Sequence, residues 1–200
     1  KYGRAARTRN SATVDGLTTE KISLHDIQYD AQGRVISGHD LVHKTGEGLS
    51  QYSEEAMDVK EFDSWGRATK YTQTLVDGGL RTQSDINLTY NADGVVTSQT
   101  TNVVETSINA LVDHHVERTI KQTDMKYDAL GNLVDYKKVV KEGDLETTSR
   151  ALLMEYDHYG RPTTALERVS DTTGRDEIVG QVGVKYNSLG QVVDGPGQGV

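Results

Sequence analysis

Asp113, His115 and Glu117 alternate along the chain, so a strand would place all three on one side, with His114 opposite. Imidazole and carboxylate groups in that pattern could hold a divalent cation. A ligand set also needs fixed geometry and supporting hydrogen bonds, and charged residues on a solvent-facing strand supply neither, so we read them as polar surface with no metal and no cofactor. The acids Glu54 and Glu55, together with recurring aspartates, could furnish a glycosidase pair only if a cleft held two carboxyls together. Nothing in the sequence supplies that cleft, and the aspartates have a sufficient structural role, so no catalysis is expected. Asn87-Leu88-Thr89 is a glycosylation sequon that falls inside an expected strand and is read as incidental.

That structural role is a turn. Six segments carry an aromatic residue, then Asp or Asn, two variable residues and Gly: Tyr29-Asp30 to Gly33, Phe62-Asp63 to Gly66, Tyr90-Asn91 to Gly94, Tyr127-Asp128 to Gly131, Tyr156-Asp157 to Gly160, and Tyr186-Asn187 to Gly190. A truncated copy stands at Tyr2-Gly3-Arg4, and the seven glycines are 30, 33, 28, 37, 29 and 30 residues apart. Asp or Asn bonds back to the following backbone, and Gly takes the left-handed position that closes a bulged hairpin. The flanking residues then pair. Asp30 should face Arg34, Asp63 face Arg67 and Asp157 face Arg161 as exposed ion pairs of small value. One step outward, Tyr29 should meet Val35, Phe62 Ala68, Tyr90 Val96, Tyr127 Leu133, Tyr156 Pro162 and Tyr186 Val192.

Alternation puts Ile27, Leu88, Met125, Met154 and Val184 on that same face, with Lys60 as the exception, so one face should be apolar and the other polar. Second turns are expected 12 to 14 residues after most anchor glycines, at Asp15-Gly16, Thr45-Gly46, Asp77-Gly78-Gly79, Glu142-Gly143 and Thr173-Gly174. The fourth repeat lacks a glycine between Gly94 and Gly131, so an irregular insertion is expected near residues 101–118, centred on Thr106 to Val112.

Composition agrees with an all-β reading. Only 34% of residues are hydrophobic and 6% aromatic, so ten tyrosines must supply much of a thin core. Twenty glycines, two prolines and abundant Val, Thr and Tyr favour strands and turns. A net charge of -8 without a basic run makes nucleic acid a poor partner, and no apolar window is long enough to span a bilayer. The absence of cysteine removes disulfides and thiolate metal sites without fixing the compartment. The reading is thus a single array over residues 1–200 of tandem β-hairpins, forming a long antiparallel sheet of about a dozen strands that curls into a spiral, tube or shell. It should continue into further repeats of the same chain or copies of itself.

The motif Tyr-Asp-x-x-Gly-Arg followed by an apolar residue, carried by Tyr29-Asp30-Ala31-Gln32-Gly33-Arg34-Val35 and Tyr156-Asp157-His158-Tyr159-Gly160-Arg161, resembles that of the YD-repeat, or RHS-repeat, family. The resemblance covers nearly the whole chain, although Val95, Asn132 and Gln191 replace the arginine in three repeats. It implies a scaffold: large bacterial surface, secreted or toxin-shell proteins and the animal teneurins, whose repeats wind a sheet into a spiral shell. These repeats are longer than the family's usual ones, and no Asp-Pro-x-Gly signature of the kind that ends a toxin shell is present, which suggests a fibre or stalk. Two other expectations stand beside that one, an adhesin-type module recognising carbohydrate or a host surface and a fragment of a toxin-encapsulating shell. For the adhesin, Tyr2, Trp65 and Tyr159 at the turn tips are the candidate partner contacts.

Overall fold

The computed structural model describes residues 4–14, 16–109, 113–187 and 190–194. Tyr2 and Gly3 of the truncated copy, Asp15 of the first second-type turn, and residues 110–112 of the expected insertion lie outside the described residues. The chain divides into two compact units, one of residues up to 88 with 101–117, the other of residues 89–100 with those from 118 onward.

The fold is all-β. In the first unit lie β1 (Arg9–Val14), β2 (Leu17–Ser23), β3 (Gln28–Tyr29), β4 (Val35–Gly46), β5 (Leu49–Phe62), β6 (Ala68–Asp77) and most of β7 (Leu80–Tyr90). Strands β8 (Val96–Ser107) and β9 (His115–Tyr127) contribute to both units, and the second adds β10 (Leu133–Glu142), β11 (Leu145–Tyr156), β12 (Pro162–Asp171), β13 (Asp176–Gln181), β14 (Lys185–Tyr186) and β15 (Val192–Asp194). Strand order follows the sequence from β1 to β13, with β3 set beside β4, giving 13 strands, while β14 and β15 form a separate ribbon. Such an order needs only hairpins.

Those hairpins are of two kinds. Each motif turn closes as a three-residue loop: Gly33 N–H donates to Asp30 O at 3.1 Å, and Asp30 N–H donates to Arg34 O at 3.0 Å. The same pair of bonds recurs at Asp63, Asn91, Asp128, Asp157 and Asn187. As the sequence required, Tyr29 pairs with Val35, Phe62 with Ala68, Tyr127 with Leu133, Tyr156 with Pro162 and Tyr186 with Val192. The other kind is a two-residue connection, at Gly78-Gly79 between Asp77 and Leu80 and at Gly143-Asp144 between Glu142 and Leu145.

One of the expected second turns is placed differently, and another stands where expected but is of the motif kind. Thr45 and Gly46 belong to β4, and the chain reverses at Glu47-Gly48, because Gly46 pairs with Leu49. Gly46 also lies against Leu17, whose Cδ1 would be 3.4 Å from a Cβ there. Thr173-Gly174 is a motif-type loop, with Gly174 N–H donating to Asp171 O at 3.2 Å and Asp171 N–H to Arg175 O at 3.0 Å. The irregularity of the fourth repeat is narrower than 101–118. Strand pairing reaches Ser107, whose N–H donates to His114 O at 3.1 Å, and resumes at His115.

The expected simple alternation is interrupted by bulges. Just beyond each aromatic pair the register slips by one on the outgoing arm, skipping Ile36, Thr69, Val134, Thr163 and Val193. The incoming arm slips as well, at Lys60 in β5 and Leu152 in β11, and Asp124 in β9 is the only described non-glycine with positive φ, at 57°. An extra residue bends and twists its strand locally. Burial is correspondingly thin. Val42, Ile86, Val103, Tyr136, Val169 and Val184 are buried, yet Ser23, Thr101 and Thr164 are buried among them, so the covered face is not purely apolar. Along β7 the covered positions are Thr82, Ser84, Ile86, Leu88 and Tyr90, with charged or amide side chains between several of them.

Gly131 separates backbone strain from crowding, because its φ is +86° and a Cβ there would meet nothing within 4 Å. Gly131→Val should therefore destabilise through the backbone alone, by about 2 kcal/mol or somewhat more for a β-branched residue. A thermal melt followed by circular dichroism should show Tm lowered by roughly 4–8 °C, and an unchanged Tm would contradict the left-handed closure.

Candidate functional site

The motif residues assemble into a contact that recurs between successive repeats. It begins at the carboxylate. Asp30 Oδ1 accepts the Arg34 backbone N–H at 2.9 Å while Oδ2 accepts Arg34 Nε–H at 2.6 Å. Asp63 holds Arg67 at the same distances, and Asp157 holds Arg161 at 3.0 and 2.7 Å. In the fourth repeat Asn132 substitutes for arginine, donating its backbone N–H at 2.9 Å and its Nδ2–H at 2.8 Å to Asp128. Where Asn91 and Asn187 stand in place of aspartate, their Oδ1 atoms still accept the N–H of Val95 and Gln191 at 2.9 Å. The acceptor is thus constant while the charge is optional.

The guanidinium so fixed reaches the next repeat. Arg34 lies 3.9 Å from the centroid of the Phe62 ring, Arg161 4.6 Å from Tyr186, and Arg4 5.4 Å from Tyr29. Arg161 also donates through Nη1 to Asn187 O at 3.2 Å. The following glycine lies directly beneath the arginine: a Cβ on Gly33 would fall 2.0 Å from Arg4 Nη2, and one on Gly66 would fall 3.5 Å from Arg34 Cδ. Glycine at these turns therefore answers two demands, the left-handed backbone and the passage of a side chain from the previous repeat. Sequence reasoning found the first demand and missed the second.

The tyrosines add a return bond. Tyr29 Oη–H donates to Ala5 O at 2.8 Å, Tyr156 to Leu133 O at 2.6 Å and Tyr186 to Pro162 O at 2.7 Å. In each case the acceptor is the second residue after the previous repeat's glycine, beside the bulge in the cases of Leu133 and Pro162. Rings half-buried in this way pack as a core residue would while their hydroxyls satisfy a backbone acceptor. Burial raises the Tyr156 phenol above its ordinary value, and the nearby Asp128 charge adds to the rise. Tyr136, on β10, is pushed up further by burial and by the Glu167 carboxylate that its hydroxyl binds.

The arginine pairs are not the loosely exposed contacts expected from sequence. Arg34 retains 33% and Asp30 16% of their side-chain accessibility, and Arg34 lies against the ring and glycine of the next repeat. Partial burial opposes ionisation of Asp30, but the N–H and guanidinium of Arg34 outweigh it and hold the carboxyl below its ordinary value. The same balance lowers Asp63 and Asp157. Asp128 is lowered chiefly by the Asn132 side chain, and Asp171 by the Thr173 hydroxyl. That last loop, Asp171-Thr172-Thr173-Gly174-Arg175, was legible as a further copy of the turn but lacks the preceding aromatic that drew attention to the others.

The remaining sequence candidates lie apart from this contact. Trp65 and Tyr159 project from turn tips at 75% and 70% exposure, as does Leu130 at the equivalent position, with Tyr159 flanked by the His158 ring. His115 Nε2 lies 2.9 Å from Glu117, and His114 Nε2 lies 2.7 Å from Glu105 on the other face. No group of three potential metal ligands occurs among the described residues. Glu54 is 3.3 Å from His39, whereas Glu55 accepts from Lys21 at 2.8 Å, so the two acids do not face one another. Compared with known proteins, the chain matches no family model, no curated protein and no solved structure.

Replacing Arg34 by Ala removes a cation–π contact of about 0.5–2 kcal/mol as well as its bonds to Asp30. Tm should fall by several degrees, and Arg34→Lys should recover only part of the loss because lysine lacks the planar fork. Acid should act on the same bonds. A lowered folded-state pKa means that protons bind the unfolded chain first, so the aspartates' contribution is complete above the ordinary value of 3.8 and is lost as pH falls through the folded values below it. In NMR spectra the amide shifts of Arg34, Arg67 and Arg161 should titrate below that value, whereas Val95 and Gln191, bonded to asparagines, should not.

Proposed function

We propose that this chain is a structural scaffold segment of a large exported bacterial protein, building an extracellular fibre, stalk or shell. The observation that carries this reading is the arginine–aromatic–glycine contact that recurs between motifs where arginine is present, as from Arg4 to Tyr29 and Gly33, from Arg34 to Phe62 and Gly66, and from Arg161 to Tyr186. In a repeat array, stability accumulates from nearest-neighbour contacts of this kind, and length can be extended without altering any one unit. The linear strand order, ending at β1 and β13, suits a sheet that further repeats or another copy of the chain prolong. A long twisted sheet with one covered face favours curling into a spiral or tube. Resemblance of the Tyr-Asp-x-x-Gly-Arg motif to YD repeats supports the same assignment, and with it a secreted or cell-surface location.

The exposed Trp65 and Tyr159 rings favour a second reading, an adhesin-type module that stacks turn aromatics on sugar rings. Among the described residues no helix is long and apolar enough to cross a membrane. The scaffold reading is tested by electron microscopy of the chain and of tandem fusions of it. Particle length should grow in proportion to the number of copies; compact globules whose size is independent of repeat order would defeat the proposal.

A further inference from the structure

Three cations stand in direct register across the second unit. Lys137 on β10 pairs with Arg150 on β11, and Arg150 pairs with Arg168 on β12, so the three side chains leave the same face in a row perpendicular to the strands. Directly opposed like charges are destabilising, since paired side chains on neighbouring strands start only about 5 Å apart. The chain carries 30 acidic residues against 22 basic ones, so carboxylates are plentiful, yet none lies within ion-pair distance of Lys137 or Arg150 among the described residues. Arg168 is the exception, held by Asp176 at 2.8 and 2.5 Å. The Asp135 carboxylate feels the Arg150 charge, but it is already bound to Lys126 at 2.7 Å.

The row also lies in a hollow. Thr148 and Ser170, which pair with one another across β11 and β12, join Lys137, Arg150 and Arg168 in lining a shallow depression on this face. Thr148 and Ser170 are two residues from Arg150 and Arg168 respectively, so their hydroxyls share the same side of the sheet. Convergent cations with adjacent hydroxyl donors match the tetrahedral oxygens of a sulfate or phosphate group. A bound oxyanion would also relieve the repulsion between the directly opposed Lys137 and Arg150.

We propose that Lys137, Arg150 and Arg168, with Thr148 and Ser170, form a binding site for sulfate or phosphate groups. The site is independent of the scaffold reading, because it belongs to one stretch of β10–β12 and has no counterpart in the repeated motif. Dextran sulfate and neutral dextran serve as polymeric probes and inorganic sulfate as the isolated anion, at ~50 mM NaCl, where screening is moderate. Dextran sulfate should bind the wild-type chain, and K137Q/R150Q should weaken that binding about tenfold or more, since two charge-assisted contacts are lost. The control K44Q/K60Q changes net charge equally at two exposed lysines of the first unit and should bind as the wild type does. Removing like charges should leave Tm unchanged or raised, and K137Q alone provides a milder variant with the same direction of effect.

A wild-type-specific rise of Tm in inorganic sulfate identifies a single-oxyanion site, whereas discrimination with dextran sulfate alone identifies a sulfated saccharide as the ligand. Equal binding by wild type and K137Q/R150Q, or binding of neither probe, would overturn the proposal.

Discussion

The side-chain acceptor across each motif turn, an aspartate bonded to arginine in three of them, is the constraint on which the rest depends. Taken alone, a carboxylate and a guanidinium at a hairpin tip would contribute little, because water competes for both. Here the carboxylate also accepts the arginine N–H, so the side chain leaves the turn in one direction. Arg34 is consequently delivered onto Phe62 and across Gly66. A local turn signal is thereby converted into a contact between repeats, and that contact partly shields the pair that made it possible.

Thin burial is the other side of this arrangement. The described core has few buried apolar side chains and includes Ser23, Thr101 and Thr164. A sheet of this composition cannot rely on a thick hydrophobic layer, so a larger share of its order rests on polar contacts repeated at each turn. Tyrosine suits this better than phenylalanine. Its ring packs beneath an arginine while its hydroxyl reaches a carbonyl of the preceding repeat, as Tyr186 does with Pro162. Phe62 lacks that bond, and Arg34 approaches its ring more closely than Arg4 approaches Tyr29 or Arg161 approaches Tyr186. The bulges belong to the same economy of form: each displaces a strand beside its turn, and at Leu133 and Pro162 a tyrosine hydroxyl meets the carbonyl there.

Much of this was written in the primary structure because turns are local. Asp, two residues and Gly specify a hairpin from within five positions, and the pairing of Tyr29 with Val35 or Tyr156 with Pro162 follows by counting outward. The strand order followed too, since consecutive hairpins with short loops leave each strand beside its neighbour. Errors arose where a residue's partner is remote. Thr45-Gly46 looked like a turn, but Gly46 is a strand position next to Leu17, and the reversal falls at Glu47-Gly48. The turn at Thr173-Gly174 was expected, but its identity with the motif loop was not, because no aromatic precedes Asp171 although the turn itself needs only the acceptor and the glycine.

What the amino-acid order determined by itself was the set of reversals and the pairing nearest to each, because those depend on backbone conformations and hydrogen bonds spanning a few residues. The tertiary structure alone decided what the arginines touch, which carbonyls the tyrosines reach, and that Lys137, Arg150 and Arg168 share one row. Those relations join residues a whole hairpin or repeat apart, and bulges shift their register by one, which reverses the face a side chain occupies. No count along the chain anticipates that shift; it is set only when neighbouring strands have paired.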